Sequence, residues 1–432
     1  MTELGPSPLT RGDELPVAAA RAAIAAALRP IRGTQQVPLA QATGRVLAQD
    51  LRSPIAVPAH DNSAMDGYAF AGSQLQTETG TRLHALPGTA FAGQPLAQRI
   101  GPGQCIRIMT GAVMPDGTDT VVPIELCQVD AGQVLIGAGV LRAGENRRRR
   151  GEDLAQGGVA LSAGRVLRPA DVGLLASLGL AEVQVMRQLR VALFSTGDEL
   201  LQPGQPPTPG CIYDSNRFSL QAALQRLGLE VLDLGAVPDD PAALRQTLDR
   251  AVTECDAVIT SGGVSMGDAD YTRDLLAEMG TVSFWKVAMR PGRPFAFGPL
   301  RRPVAAADAA GGDSATPFLF ALPGNPVAAL VTFYAFAREA LMVLVGARPL
   351  PLPVLRARSV GAIRKRPGRT EFQRAIVEPG ADGQWQVRLT GSQGAGVLRS
   401  MSEANALLVL GHEQGSVAAG EMVEVWLFDG LV

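Results

Sequence analysis

The sequence predicts a multidomain α/β protein with a parallel-sheet αβ domain, and three observations carry that prediction. From Leu189 onward, apolar runs alternate with amphipathic helical patterns, the mark of parallel strands joined by crossover helices. Between about residue 31 and 185, brief β-prone runs are broken by Gly and Pro every 8–12 residues or so, which reads as a β-rich unit. Past Gly346, "ARPLPLPVLRARSV" leads into strands up to Val432 that fit a small β-barrel or sandwich. A chain of 432 residues has room for roughly two to four domains.

Each element has a local reason. "PVAAARAAIAAALRPI" is an Ala-rich helix that ends at Arg29-Pro30. "CIRIMTGAVMPDGTDTVVPIE", "GQVLIGAGVL" and "GGVALSAGRVL" supply short strands, and "RPADVGLLASLGL" is a helix with Pro169 in its first turn. "LRVALFSTGDEL" is a buried strand followed by a turn. In "RFSLQAALQRLGL", Leu220, Ala223, Leu224 and Leu227 form one apolar helix face, ended by Gly228. "EVLDLGAV" is the next strand. "DDPAALRQTLDRAV" has Asp240 as N-cap, Pro241 at N1, and Leu244, Leu248, Ala251 and Val252 aligned. "CDAVITSGG" is a third strand and "VSFWKVAM" a fourth. "VAAADAAGGDSATP" reads as a surface loop. "FLFALPGNPVAALVTFYAFAREALMVLVG" then gives a strand, a tight turn and a long apolar helix with Asn325 and Pro326 at N-cap and N1.

Composition excludes several classes. Net charge is −2, so nothing global points to nucleic acid or an anionic membrane. Four scattered cysteines without a C-x-x-C pair and three histidines argue against a disulfide framework or a His-based metal site. The N-terminal stretch has no apolar core of the kind a signal peptide needs. No stretch reaches the roughly 18 unbroken apolar residues of a membrane span; the longest carries Arg338 and Glu339. A soluble, cytoplasmic protein is expected.

Several motifs carry chemistry. Gly262-Gly263 follows a strand directly, and Ser265 and an acidic patch follow it; such glycines let backbone N–H groups approach an anion. A plain Gly-rich turn reads the same way. "FSTGDEL" adds Ser195, Thr196, Asp198 and Glu199 at a strand end, and Asp239 is free beside the capping Asp240. "FWKVAMRPGRPFAFG" offers Lys286, Arg290 and Arg293; paired guanidiniums suit a tetrahedral oxyanion or phosphate. The run "GENRRRRGED" reads as a solvated loop with local ion pairs, with Asp153 at its end. Carboxylates near basic turns fit a hard divalent cation, most simply Mg²⁺, bridging acids and a polyphosphate. The oxygen-rich "PAHDNSAMDGYAF" then has two readings: Asp61 as a metal or water ligand, or an Asx-turn network that shapes a loop.

"PAHDNSAMDGYAF", "RIMTGAVMPDGTDTVVPIE", "GENRRRRGED", "FSTGDEL", "YDSNR", "ITSGGVSMGDADY", "KVAMRPGRPFAFG" and "LPGNPVAALVTF" occur in the order found in the MoeA family, molybdopterin molybdenumtransferases related to the catalytic domain of gephyrin. The chain resembles that family over essentially its whole length. The resemblance implies an αβ domain of molybdopterin-binding type, a β-rich domain, a discontinuous connector domain and a C-terminal β-barrel. The segments would be 8–50 and 155–187 (connector), 51–154 (β-rich), 188–346 (αβ) and 347–432 (barrel). It also implies a homodimer in which Asp61 of the β-rich domain faces Glu199 of the partner. The implied reaction is insertion of molybdate into adenylated molybdopterin with release of AMP, in the presence of Mg²⁺.

From the resemblance, Asp61, Asp153, Glu199 and Asp239 are expected as catalytic carboxylates, with Asp61, Glu199 and Asp239 toward the metal. Substrate contacts are expected from Thr110, Ser195, Thr196, Gly262, Gly263, Ser265, Asp268, Lys286, Arg290, Pro291, Arg293, Pro323, Asn325, Arg369 and Ser392. Sulfur ligands come from the substrate dithiolene, so no protein Cys cluster is needed. Arg290 and Arg293 stand where many relatives have Lys, Ala395 stands where Ser is frequent, and the Ala-rich stretch near 304–316 has no counterpart. The competing readings are a molybdopterin adenylyltransferase, which shares the αβ domain and is also a candidate partner, and a non-catalytic scaffold. Tungstate and molybdate are indistinguishable at this level.

Overall fold

The computed structural model describes residues 14–76, 78–263, 270–302, 316–349 and 353–430. The chain forms two compact units. The first gathers the segments up to Ala48, Gly164–Arg168 and Glu182 onward; the second consists of Gln49–Ala163 and Pro169–Ala181.

In the first unit, the αβ domain runs β1 (Arg190–Thr196), α1 (Ser215–Arg226), β2 (Glu230–Val237), α2 (Pro241–Glu254), β3 (Ala257–Ser261), α3 (Asp270–Met279), β4 (Ser283–Lys286), β5 (Pro294–Pro299), β6 (Phe318–Leu322) and the long helix α4 (Pro326–Leu344). The sheet order is β2-β1-β3-β6-β5-β4. The first four strands are parallel; β5 is reversed, and β4 pairs antiparallel with β5 at the edge, so β4 runs in the same direction as the first four. The sheet is therefore mixed. The expected fourth strand, "VSFWKVAM", keeps the common direction but lies at the edge, separated from the parallel set by the reversed β5, and β6 takes the fourth parallel place.

Helices cover both faces, which explains why the strands read as continuous apolar runs. Along β1, Val191 and Leu193 pack with Leu220 and Leu224 of α1 and with α4. Ala192 and Phe194 point the other way, onto Leu244, Leu248, Ala251 and Val252 of α2. Asp240 caps α2 by accepting from the Ala243 N–H at 2.8 Å. Helix α4 is long and apolar enough to cross a membrane, with mean hydropathy 1.7, yet 72% of its apolar window is buried within the protein. It contains a π-helical turn at Phe333–Ala337.

The C-terminal strands β7 (Val354–Ser359), β8 (Thr370–Pro379), β9 (Trp385–Leu389), β10 (Ala406–Leu410) and β11 (Met422–Leu427) follow the order β8-β9-β7-β11-β10, and β10 pairs back onto β8. This closes a five-stranded barrel and decides between barrel and sandwich. Small residues, Ala357, Ala375 and Ala406, sit inside it with Leu408, Val423 and Val425. Met289–Arg290 joins the same sheet beside Thr370 and Glu371, so the Arg-Pro-Gly-Arg turn is fastened to the barrel. The N-terminal helix Val17–Ala27 also packs in this unit. Its Arg21 donates Nε to the Ala335 carbonyl at 2.9 Å and lies 5.1 Å over the Trp426 ring. Thr34–Pro38 pairs antiparallel with Glu182–Met186.

In the second unit, a six-stranded sheet runs in the order Thr120–Pro123, Gly67–Phe70, Gln104–Ile108, Thr81–Ala90, Gln133–Ile136, Cys127–Asp130. Asn62–Ser63 pairs with Arg147–Arg148, which ties the oxygen-rich loop to the arginine run.

Candidate active site

Three adjacent parallel strands end level with one another: Ser195 pairs with Ser261, and Ser261 with Leu322. The turns that follow, Gly197-Asp198-Glu199, Gly262-Gly263 and Pro323-Gly324-Asn325, therefore open into one crevice at the carboxyl edge of the sheet. They wall a cleft of about 930 Å³, whose other side is the Arg290–Pro294 turn, Arg369 of the barrel and the Gln393–Ala395 loop. One wall carries Glu199 and Asp239, the opposite one Arg290, Arg293 and Arg369.

The turns need their glycines. A Cβ on Gly262, at φ +97°, would lie 2.6 Å from the Thr196 carbonyl oxygen and 2.8 Å from its hydroxyl. A Cβ on Gly197 would lie 2.4 Å from Glu199 Oε2, so only glycine lets that carboxylate fold back over its own turn. Thr196 Oγ1 is buried and makes no hydrogen bond among the described residues.

The acidic wall is short of positive charge. Burial, with Asp198 and Glu199 nearby, raises the Asp239 carboxyl above its ordinary value. None of the three carboxylates pairs with a cation among the described residues. A raised native pKa means that folded-state stability is fullest below the ordinary carboxylate pKa and is lost as pH rises through the raised value. Asp239→Asn should therefore melt higher than wild type near pH 7.5, with the gap narrowing as pH falls through the carboxylate range. Calorimetry at two pH values checks this.

On the basic wall, Arg290 forms no ion pair among the described residues. Arg293 and Arg369 share Glu14. The neighbouring loop is held by Arg374 of β8, which is only 1% exposed and, next to the inward-facing Ala375, points out of the barrel. It donates to the Gly394 carbonyl at 2.9 Å, to Ser400 Oγ at 3.0 Å and to the Ser392 carbonyl at 3.3 Å. Burial and the charge of Arg290 lower its pKa to about 10, so it stays protonated at neutral pH. The Gln393 amide adds bonds to the Arg374 backbone on both sides.

Thr196, Glu199, Asp239, Gly262, Gly263, Arg290, Pro291, Arg293, Pro323, Asn325 and Arg369 all line the cleft. Four expected contacts do not come to its wall. Ser195 is 2% exposed, and its hydroxyl donates to Asp214 Oδ1 at 3.0 Å, because strand alternation turns it inward. Lys286 lies on the edge strand β4, outside the cleft lining. Ser392 is exposed beside the lining residue Gln393 and offers its carbonyl to Arg374. Thr110 belongs to the second unit, where its N–H and hydroxyl both donate to Asp66 Oδ1, at 2.7 and 2.6 Å. Those two bonds hold the Asp66 carboxyl below its usual range. Ser265 and Asp268 fall outside the described residues.

Asp61 and Asp153 also belong to the second unit. Asp61 accepts from the Arg150 N–H at 2.8 Å and lies 3.5 Å from Arg147 Nη1. Asp153 is exposed, with its backbone N–H on the Val57 carbonyl. Ser63 closes the loop on itself through the Met65 carbonyl, and Tyr68 packs beneath the Arg107 guanidinium. Among the described residues, no three His, Cys, Asp or Glu side chains are grouped as a metal site, so neither unit alone assembles the expected set Asp61, Glu199 and Asp239.

Three supports went unassigned in the sequence although "YDSNR" contains them. Asp214 caps α1, Asn216 Nδ2 donates to Ser261 Oγ (2.7 Å) and to the Gly324 carbonyl (2.6 Å), and Arg217 is buried against Asp214, Asp233 and Gln202. Asn216 thus ties two of the three cleft turns together.

Strand-end turns facing carboxylates on one side and guanidiniums on the other define an anion-binding αβ domain. Comparison with known proteins places that domain in a family. Residues 15–179 match the MoeA N-terminal region (domain I and II), residues 192–343 the "Probable molybdopterin binding domain", and residues 356–428 the MoeA C-terminal region (domain IV). A molybdopterin molybdenumtransferase of Haemophilus influenzae is 40% identical over 400 residues, 92% of this chain and 95% of that protein. Molybdopterin molybdenumtransferase 2 of Mycobacterium tuberculosis is 37% identical over 411 residues, 93% of this chain and 95% of that one. The crystal structure of a molybdopterin biosynthesis moeA protein from Pyrococcus horikoshii superposes with a TM-score of 0.80 at 27% identity, covering 96% of this chain and all of that one. The chain belongs to the MoeA family.

Proposed function

We propose that the chain is a molybdopterin molybdenumtransferase that inserts molybdate into adenylated molybdopterin and releases AMP, the final step of molybdenum cofactor synthesis. One observation supports this above the rest: a single cleft carries a guanidinium wall and an uncompensated carboxylate wall. The two substrates together bring a dianion and a phosphoanhydride. Arg290, Arg293 and Arg369 hold these charges, and the Gly262-Gly263 turn admits the phosphate close to the backbone. Thr196 offers a hydroxyl with no partner among the described residues.

The raised Asp239 carboxyl beside Asp198 and Glu199 fits a hard divalent cation, and Glu199 and Asp239 would hold Mg²⁺. Bound there, Mg²⁺ would stabilise charge on the departing phosphate. Asp61 and Asp153 complete the proposed catalytic set. A homodimer, a cytoplasmic location, the four-domain division given above and delivery of the pterin by the adenylyltransferase belong to the same reading.

The test incubates the protein with adenylated molybdopterin, Mg²⁺ and molybdate and follows AMP. Wild type should release AMP only with molybdate, and Asp61→Ala should lose roughly 10²–10³ of the rate, as expected for a charge acting on the reacting phosphate. Release unaffected by the substitution would return the loop to a structural role. No release from folded wild type would sink the enzymatic reading. Dependence on ATP would instead mark an adenylyltransferase.

A further inference from the structure

We infer that Glu14 is a positioning residue for the anion-binding arginines of the cleft, an inference that rests on the function proposed above. Arg369 sets Nε 3.0 Å from Glu14 Oε2 and Nη2 2.9 Å from Oε1, a forked pair. Arg293 Nη2 approaches the same Oε1 at 2.5 Å. The carboxylate is covered, with its side chain 16% exposed, whereas Arg293 and Arg369 are 50% and 47% exposed and line the cleft.

The backbone beside Glu14 is fixed. The Leu15 N–H donates to the Lys286 carbonyl at 2.7 Å, and the Leu15 carbonyl accepts from the Ala288 N–H at 2.8 Å. The Leu15 side chain is 4% exposed in the main core. Glu14 is therefore an anchored point to which two long side chains from different domains, one on the Arg-Pro-Gly-Arg turn and one on the barrel, are tied. Arg369 directs its Nε–Nη2 edge at Glu14 while the residue lines the cleft. Arg290, which pairs with no carboxylate among the described residues, keeps its whole guanidinium.

Two effects oppose each other when Glu14 is removed. Losing a negative charge draws an anion in, but at half-exposed guanidiniums this is worth under about 1 kcal/mol. Against it, two arginines become free to turn, at roughly 0.5–1.5 kcal/mol for each side chain the ligand must then immobilise, and they repel one another. The ordering loss is the larger, so the oxyanion binds more weakly without Glu14.

The experiment compares Glu14→Ala and Glu14→Gln with wild type in AMP release, varying molybdate at saturating adenylated pterin and then the reverse. KM for molybdate should rise roughly tenfold in Glu14→Ala and several-fold in Glu14→Gln, while kcat stays within about twofold. Unchanged KM for molybdate in folded Glu14→Gln, or a fall in kcat alone in both variants, would overturn the inference. If wild type releases no AMP, the functional reading fails, and molybdate titrations of the three proteins by calorimetry still decide the role of Glu14. There a Kd ratio near one, or tighter binding, refutes it.

Discussion

Gly262→Ala is expected to cost about 2–4 kcal/mol of stability and to slow AMP release by roughly 10²-fold or more. The added methyl meets backbone: the Thr196 carbonyl oxygen at 2.6 Å. Its φ of +97° is also one that alanine strongly disfavours. Neither strand end can retreat, because Thr196 closes β1 and Ser261 closes β3 in the middle of a sheet covered on both faces. The relief is for the Gly262 turn to shift, which displaces the cleft lining at Gly262 and Gly263. Gly324 supplies the control on the same wall. A Cβ there finds its nearest neighbour at 3.8 Å and no positive φ is required, so Gly324→Ala should stay within about 0.5 kcal/mol of wild type. Denaturant melts and single-turnover rates of the two variants separate the cases. Equal behaviour of both would refute the packing argument.

Arg217→Met is expected to lose about 3–5 kcal/mol, because it strands a carboxylate rather than merely deleting contacts. Arg217 and Asp214 have side chains 6% and 1% exposed, and Arg217 Nε lies 3.1 Å from Asp214 Oδ2. The other guanidinium nitrogens hold Asp233, at 2.5 Å, and Gln202. Asp214 keeps the Ser195 hydroxyl and the Arg217 N–H after the substitution, but no countercharge among the described residues. The double variant Arg217→Met/Asp214→Asn should recover at least half of the lost stability. Failure to recover would mean that packing volume, not charge, sets the cost. A double-mutant cycle on unfolding free energies gives the answer.

The αβ domain was the most legible part of the sequence, because its signals are local. Asp240, Pro241 and the apolar row of α2 fall in place as the spacing predicts, and Leu220, Ala223 and Leu224 of α1 are buried as expected. The placement of β4 was not legible: an apolar run does not show which neighbour it takes, and the reversed strand β5, returning from β4 through the Pro-Gly turn, separates it from the parallel set. Barrel closure was equally hidden, since it depends on β8 meeting β10 across a loop and a helix. In the candidate site, the charged cleft residues stood out by type. Ser195 was misplaced because one step along a strand exchanges cleft for core. Glu14, Asp214, Asn216 and Arg374 went unassigned because each acts through contacts distant in sequence or through a buried charge that composition does not reveal.

The N-terminal helix has a consequence for synthesis. It leaves the ribosome well before segments it docks on: Arg21 meets Ala335 and Trp426, and the preceding Glu14 meets Arg369. At about 5–20 residues per second, several tens of seconds of translation separate that helix from the last of these partners. Its apolar face must wait, shielded or held by a chaperone, until the barrel is made. The arginine pair in the cleft is tied down only once this earlier-made segment has met the barrel, so a chain truncated before Arg369 would lack that tie even with an intact αβ domain.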